Sequence, residues 1–184
     1  SISGEGKSFI AANLAVSISL TGKKVVLVDL DLNKPTLSDI LRVKYEVGVT
    51  EFLSGEKEAY QVVNKLDTHE NLSFISAGSL PENPTELLAN GKVKSLIEYL
   101  ENNFDMVVID TSPAVLVTDA FILSGLCDAT LYVIRHNYTP KMLVKRIDEN
   151  SQFNPISNPA IIFNGLKTRG LFKTNYGYGY NYVY

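Results

Sequence analysis

Five apolar runs alternate with amphipathic stretches along this chain. The runs are Lys23–Asp31 (KKVVLVDLD), Asn71–Gly78 (NLSFISAG), Phe104–Pro113 (FDMVVIDTSP), Ala129–Asn137 (ATLYVIRHN) and Pro159–Gly165 (PAIIFNG). They are rich in continuous Val, Ile and Leu rather than alternating apolar with polar, which marks strands covered on both faces and hence a parallel sheet. Between them, Ser8–Thr21 carries Ile10, Leu14 and Ile18 on one face and stops at Gly22, a residue suited to the left-handed position that closes a helix. Pro84–Glu101 reads as a helix broken near Asn90-Gly91, and Thr118–Leu126 and Pro140–Asn150 as two more. Strand–helix alternation of this kind predicts an α/β domain with a doubly wound, mostly parallel sheet and right-handed crossovers.

A chain of 184 residues is long enough for one such domain, burying roughly two thirds of the surface its unfolded form exposes. The expected division is a folded unit over residues 1–165 and a flexible tail over 166–184. The tail alternates Tyr176, Tyr178, Tyr180, Tyr182 and Tyr184 with small or polar residues, and Gly177 and Gly179 give it no packing surface. Lys167, Arg169 and Lys173 make it locally basic, whereas the whole chain carries a net charge of −3 and gives no general reason to expect nucleic-acid binding. The single cysteine, Cys127, lies in an apolar stretch expected to be helical and reads as a reduced structural thiol. No apolar run approaches the ~20 residues of a membrane span.

The candidate chemistry is concentrated at loops after strands. SISGEGKS (Ser1–Ser8) ends in the G-K-S that closes a phosphate-binding loop, with Ser1 standing where the usual pattern has its first glycine. Gly4 and Gly6 let backbone N–H groups turn toward phosphate oxygens, and the following helix points its positive end at them. Ser3, Gly4, Glu5, Gly6, Lys7, Ser8 and Phe9 are thus the nucleotide-binding candidates, Lys7 reaching the β- and γ-phosphates and Ser8 ligating Mg²⁺. Such a loop leaves a strand and enters a helix, so the fold calls for a strand ahead of Ser1. Asp29 and Asp31 sit at the carboxyl end of one expected strand, two residues apart and on one face. Asp110 ends another, in the form of an acid that holds Mg²⁺ directly or through water.

Taken in order and spacing, SGEGKS, VVLVDLDLNKP, SAGSLPENPTELL and MVVIDTSP resemble the bacterial tyrosine kinases of the capsule and exopolysaccharide system, and the tyrosine tail matches them in kind. The resemblance implies a P-loop NTPase-like fold and ATP and Mg²⁺ as cofactors. By it Lys7 and Ser8 bind the triphosphate and metal, and Asp29 activates the tyrosine hydroxyl. Asp31 and Asp110 place the metal, Asn164 contacts adenine, and the five tail tyrosines accept phosphate. It further implies a homo-oligomer whose tails are phosphorylated between neighbouring subunits, and an opposing tyrosine phosphatase. A cytoplasmic location at the inner face of the membrane is implied too, through a polysaccharide co-polymerase domain fused upstream or supplied as a separate adaptor. Two features depart from the family pattern. Asn33, followed by Lys34, occupies the position that usually carries arginine after the paired acids, and the family's amino-terminal strand and self-association helix have no counterpart in these residues.

Two other classes compete. Partitioning and cell-division ATPases of the same fold usually carry a lysine five positions before the P-loop lysine, where this chain has Ile2. A catalytically weak nucleotide-binding module would not need Lys7, Ser8, Asp29, Asp31 and Asp110 together.

Overall fold

The computed structural model describes residues 2–112, 123, 125–145 and 157–166. The tyrosines from Tyr176 to Tyr184, most of the expected Thr118–Leu126 helix and the second half of the Pro140–Asn150 helix lie outside the described residues. Each of the five expected strands is present: β1 (Val25–Leu30), β3 (Leu72–Ile75), β4 (Met106–Thr111), β5 (Thr130–Arg135) and β6 (Pro159–Asn164), with a two-residue β2 (Asn64–Lys65) in addition. They form a sheet of order β2-β3-β1-β4 and a pair β5-β6, parallel throughout except for the short β2 edge.

Helices cover both faces of β1, which explains why all six of its residues are buried. On one face α1 (Lys7–Ser19) packs over Val25, Leu27, Phe74 and Val108. On the other, α3 (Val49–Ser54) and α6 (Lys92–Glu101) pack over Val26, Val28, Leu30 and Ile75. The helix over 84–101 is divided as expected, into α5 (Pro84–Ala89) and α6, with Gly91 in the left-handed region at φ 82° between them. Two further short helices, α2 (Leu37–Leu41) and α4 (Ala59–Val62), lie in the first half. Residues 141–145 are helical, in line with the expected helix from Pro140.

The buried residues of α1 are Ala12, Ala15 and Ser19, while Ile10, Leu14 and Ile18, expected on one face, are half-buried, with Ile18 packed against the core. Small residues let the helix approach the sheet closely, and Ile10 and Leu14 instead line a cavity of about 660 Å³ between β4 and β5. Cys127 lies in a bend between a turn at Leu126 and β5 rather than in a helix, half-buried with its thiol pKa raised by burial. Among the described residues no helix is long and apolar enough to cross a membrane.

Candidate functional site

The site lies where β1, β4, β5 and β6 end and α1 begins, the edge at which open parallel sheets bind ligands. Gly4 and Gly6 take φ of +83° and +92°, a region that side-chain-bearing residues rarely occupy, and α1 starts immediately afterwards at Lys7. The loop therefore presents backbone N–H groups and the positive end of a 13-residue helix at one point. The Lys7 ammonium folds back onto the Ile2 carbonyl at 3.2 Å. Phe9 is exposed on the first turn of α1, and Ser3 is exposed in the loop.

Parallel register sets Asp29 of β1 directly beside Asp110 of β4. Both are buried: Asp29 has no exposed surface, and Asp110 shows 3%. The Asp29 carboxylate accepts the N–H groups of Leu37 at 3.1 Å and Asp31 at 3.2 Å. Burial, reinforced by the neighbouring charge of Asp110, still pushes its pKa up to about 7. Asp110 is also raised by burial, opposed by the Ser8 hydroxyl that hydrogen-bonds to it and by the charge of Lys7. Its Oδ2 is buried without a hydrogen-bond partner.

Asp31 is less enclosed. Its Oδ1 accepts the Ser112 hydroxyl at 2.7 Å and the Lys34 N–H at 3.0 Å, tying the end of β1 to the residue after β4. Asn33, at the position expected to carry arginine, donates to Ser112 Oγ at 3.1 Å, while Lys34 is exposed. Among the described residues no group of three His, Cys, Asp or Glu converges on a metal site, because Asp29 is turned onto backbone N–H groups and Asp31 onto Ser112. What remains for a cation is the Ser8 hydroxyl beside the orphaned Asp110 Oδ2. Mg²⁺ prefers that sparse oxygen donor set, since it keeps several waters and completes its shell with phosphates. The residues present fit the ion.

Two of the residues expected to bind nucleotide are tied to other parts of the protein. Glu5 has a fully buried side chain whose carboxylate accepts the Thr139 hydroxyl at 2.6 Å and the Ile2 N–H, so only its backbone faces a ligand. Asn164, at the end of β6, donates from Nδ2 to the Glu5 carbonyl at 2.8 Å. Sequence reasoning missed Ser112, Arg135, Tyr138 and Thr139. Their only signal was position, since polar residues after a strand end at the ligand-binding edge; Thr139 meets Glu5 across 134 residues of chain.

Residues 3–150 match the AAA domain family. The chain is 35% identical over 175 residues to tyrosine-protein kinase YwqD of Bacillus subtilis, covering 95% of this chain and 73% of the relative. It is 34% identical over 179 residues to tyrosine-protein kinase wzc of Salmonella typhimurium, covering 97% of this chain but only 25% of that relative's length. The kinase domain of Escherichia coli tyrosine kinase ETK superposes with a TM-score of 0.86 at 27% identity, over 96% of this chain and 69% of that one. The chain spans about a quarter of the length of most of the curated relatives it matches. With its phosphate loop, its acids at strand ends and these relatives, the chain belongs to the bacterial tyrosine-protein kinases, built on a P-loop nucleotide-binding fold of the AAA domain family.

Proposed function

We propose that the chain is the catalytic domain of a protein-tyrosine kinase that moves the γ-phosphoryl group of MgATP to tyrosine hydroxyls. The foremost acceptors are Tyr176, Tyr178, Tyr180, Tyr182 and Tyr184 on the tail of a neighbouring subunit. The observation that carries this reading is the buried Asp29–Asp110 pair beneath the P-loop, with Asp29 pushed up to about 7. A carboxylate with that pKa exchanges protons near neutrality, as a general base for a phenol must.

In the proposed mechanism the P-loop N–H groups and the Lys7 ammonium hold the phosphates, and residues 3–9 with the second amide hydrogen of Asn164 take the rest of the nucleotide. Ser8 and Asp110 would hold Mg²⁺, with Asp31 beside them; the ion, when bound, offsets charge on the phosphate oxygens. The phenol oxygen forms its bond to the γ-phosphorus as the bridge to the β-phosphate breaks. The phenol proton passes to Asp29 and ADP carries away the leaving charge. A free tyrosine has a pKa of about 10, so proton removal comes late, as that bond forms. Substrate reaches Asp29 only if the segment holding it, Asp31 to Leu37, swings aside.

The partial exposure of Asp31, against the full burial of Asp29, favours a second assignment, in which Asp31 takes the proton and Asp29 holds the turn. Both variants decide it. Asp29→Asn should retain MgATP binding and lose transfer at least a hundredfold; if only Asp31→Asn behaves so, Asp31 is the base.

The domain arrangement is part of the same proposal: residues 1–165 as the kinase unit, 166–184 as its substrate tail, and one further strand between β4 and β5. That strand would enter the P-loop; the apolar lining of the 660 Å³ cavity and the β4 and β5 edges beside it, unpaired among the described residues, support this. The greater length of the relatives supports attachment to a further domain, and the family resemblance makes that partner a membrane-bound co-polymerase, fused or separate, at the cytoplasmic face. There the kinase would regulate capsule or exopolysaccharide synthesis and be opposed by a phosphatase. Incubation with labelled ATP and Mg²⁺ tests the activity. Phosphotyrosine that is lost in Lys7→Met supports a kinase. Inorganic phosphate alone would indicate a partitioning-type ATPase, and binding without turnover a nucleotide-binding module.

A further inference from the structure

Three consecutive carbonyl oxygens of the phosphate loop are each held by a side chain from elsewhere in the fold. Tyr138 Oη donates to Ser3 O at 2.9 Å, Arg135 Nη1 to Gly4 O at 2.9 Å, and Asn164 Nδ2 to Glu5 O at 2.8 Å. In a planar trans peptide the N–H of the next residue points the opposite way from the carbonyl. Pinning these three oxygens outward therefore aims the N–H groups of Gly4, Glu5 and Gly6 inward, where alternating left-handed glycines make a concave nest for an anion.

The same contacts are braced from behind. Thr139 Oγ1 donates to the buried Glu5 carboxylate at 2.6 Å and accepts the Arg135 N–H at 2.8 Å, and the Arg135 guanidinium carbon lies 5.4 Å from the centre of the Tyr138 ring. The fit is close on both glycines. A methyl group at Gly4 would stand 2.7 Å from Tyr138 Oη, and one at Gly6 would stand 2.5 Å from Asn164 Nδ2. All four side chains come from the end of β5, the end of β6 and the turn that leads into the helix at residues 141–145.

We infer that Arg135, Tyr138, Thr139 and Asn164 form a clasp of positioning residues that aims the loop's amides before a nucleotide diphosphate or triphosphate arrives. Arg135, Tyr138 and Thr139 need not touch the nucleotide, and Asn164 spends one amide hydrogen on the clasp and keeps the other free for it. Their effect is to remove the ordering cost that a free glycine-rich loop would impose on binding. The inference rests on the nucleotide-binding part of the proposed function and is independent of tyrosine as the acceptor.

Calorimetric titration of the full chain with MgADP tests it. Tyr138→Phe and Thr139→Val should each raise Kd about threefold to tenfold, the fold-change that loss of one hydrogen bond gives. Thr139→Ser, which keeps the hydroxyl, should stay within about twofold of the parent, and the nucleotide-free unfolding midpoint of Tyr138→Phe, whose side chain is exposed, should move by no more than about 2 °C. The inference is overturned if both variants bind as the parent does, if Thr139→Ser is as weak as Thr139→Val, or if affinity falls only along with the unfolding midpoint. A parent chain that binds no MgADP would instead sink the nucleotide reading, and this inference with it.

Discussion

Asp29 has no exposed surface, and that burial governs its chemistry more than its neighbours do. Its folded-state pKa of about 7 lies above the ordinary carboxylate value of 3.8. A group raised in this way favours folding while it is protonated, so its contribution is full below the ordinary value and is lost as pH rises through about 7. The folded protein should therefore lose stability between pH 4 and 8, on the order of 4 kcal/mol from this group alone. Asp29→Asn, which has no proton to lose, should show a flatter profile and a higher melting temperature than the parent at pH 8. Thermal melts across that range check both points. The same titration predicts that transfer rises with pH up to about 7, a limb that should vanish in Asp29→Asn. Asp29 and Asp110 were legible in the sequence because each ends a continuous apolar strand, where a carboxylate has little else to do. The tie between Glu5 and Thr139 was not legible: G-E-G-K-S looks like a solvated polar turn, and nothing local says that its acid points into the protein.

At the scale of elements, the segment between β1 and β3 depends on Glu51. Its carboxylate, 8% exposed, accepts the Gly48 N–H at 2.7 Å at the start of α3 and both the hydroxyl and N–H of Ser79 at 2.6 and 3.0 Å. Burial by itself raises the pKa, but those hydrogen bonds outweigh it and hold the group below its usual value. Glu51→Gln keeps one acceptor oxygen and turns an NH₂ toward an N–H donor, so it should cost about 1–3 kcal/mol. Chemical denaturation reads this directly, as a lower midpoint with an unchanged slope. The sequence reading found the long helices and the break at Gly91 but passed over α2, α3 and α4. These have five, six and four residues, too short for a 3.6-residue period to show against loop composition. It read Ile10, Leu14 and Ile18 as one face of α1 and passed over Ala12 and Ala15, because periodicity identifies an apolar face but cannot reveal that close approach to the sheet selects the alanines.

For the whole molecule, the proposed tail chemistry makes an electrostatic prediction. Five phosphotyrosines would add roughly −8 to −10 charges, against the three cations Lys167, Arg169 and Lys173 that precede them. A basic tail held to an acidic neighbour would then be repelled. Sedimentation velocity should show any assembly of the unphosphorylated chain dissociating after MgATP treatment, most clearly at low salt, where exposed charges are least screened. The central claim is narrower: this domain transfers phosphate to the tyrosines of another copy. It is tested most directly by mixing a wild-type chain ending at Gly165, which has no tail tyrosines, with a full-length Lys7→Met chain, adding MgATP, and mapping phosphate by mass spectrometry. The predicted result is phosphotyrosine among Tyr176, Tyr178, Tyr180, Tyr182 and Tyr184 of the Lys7→Met chain. Release of inorganic phosphate with those tyrosines unmodified would contradict it.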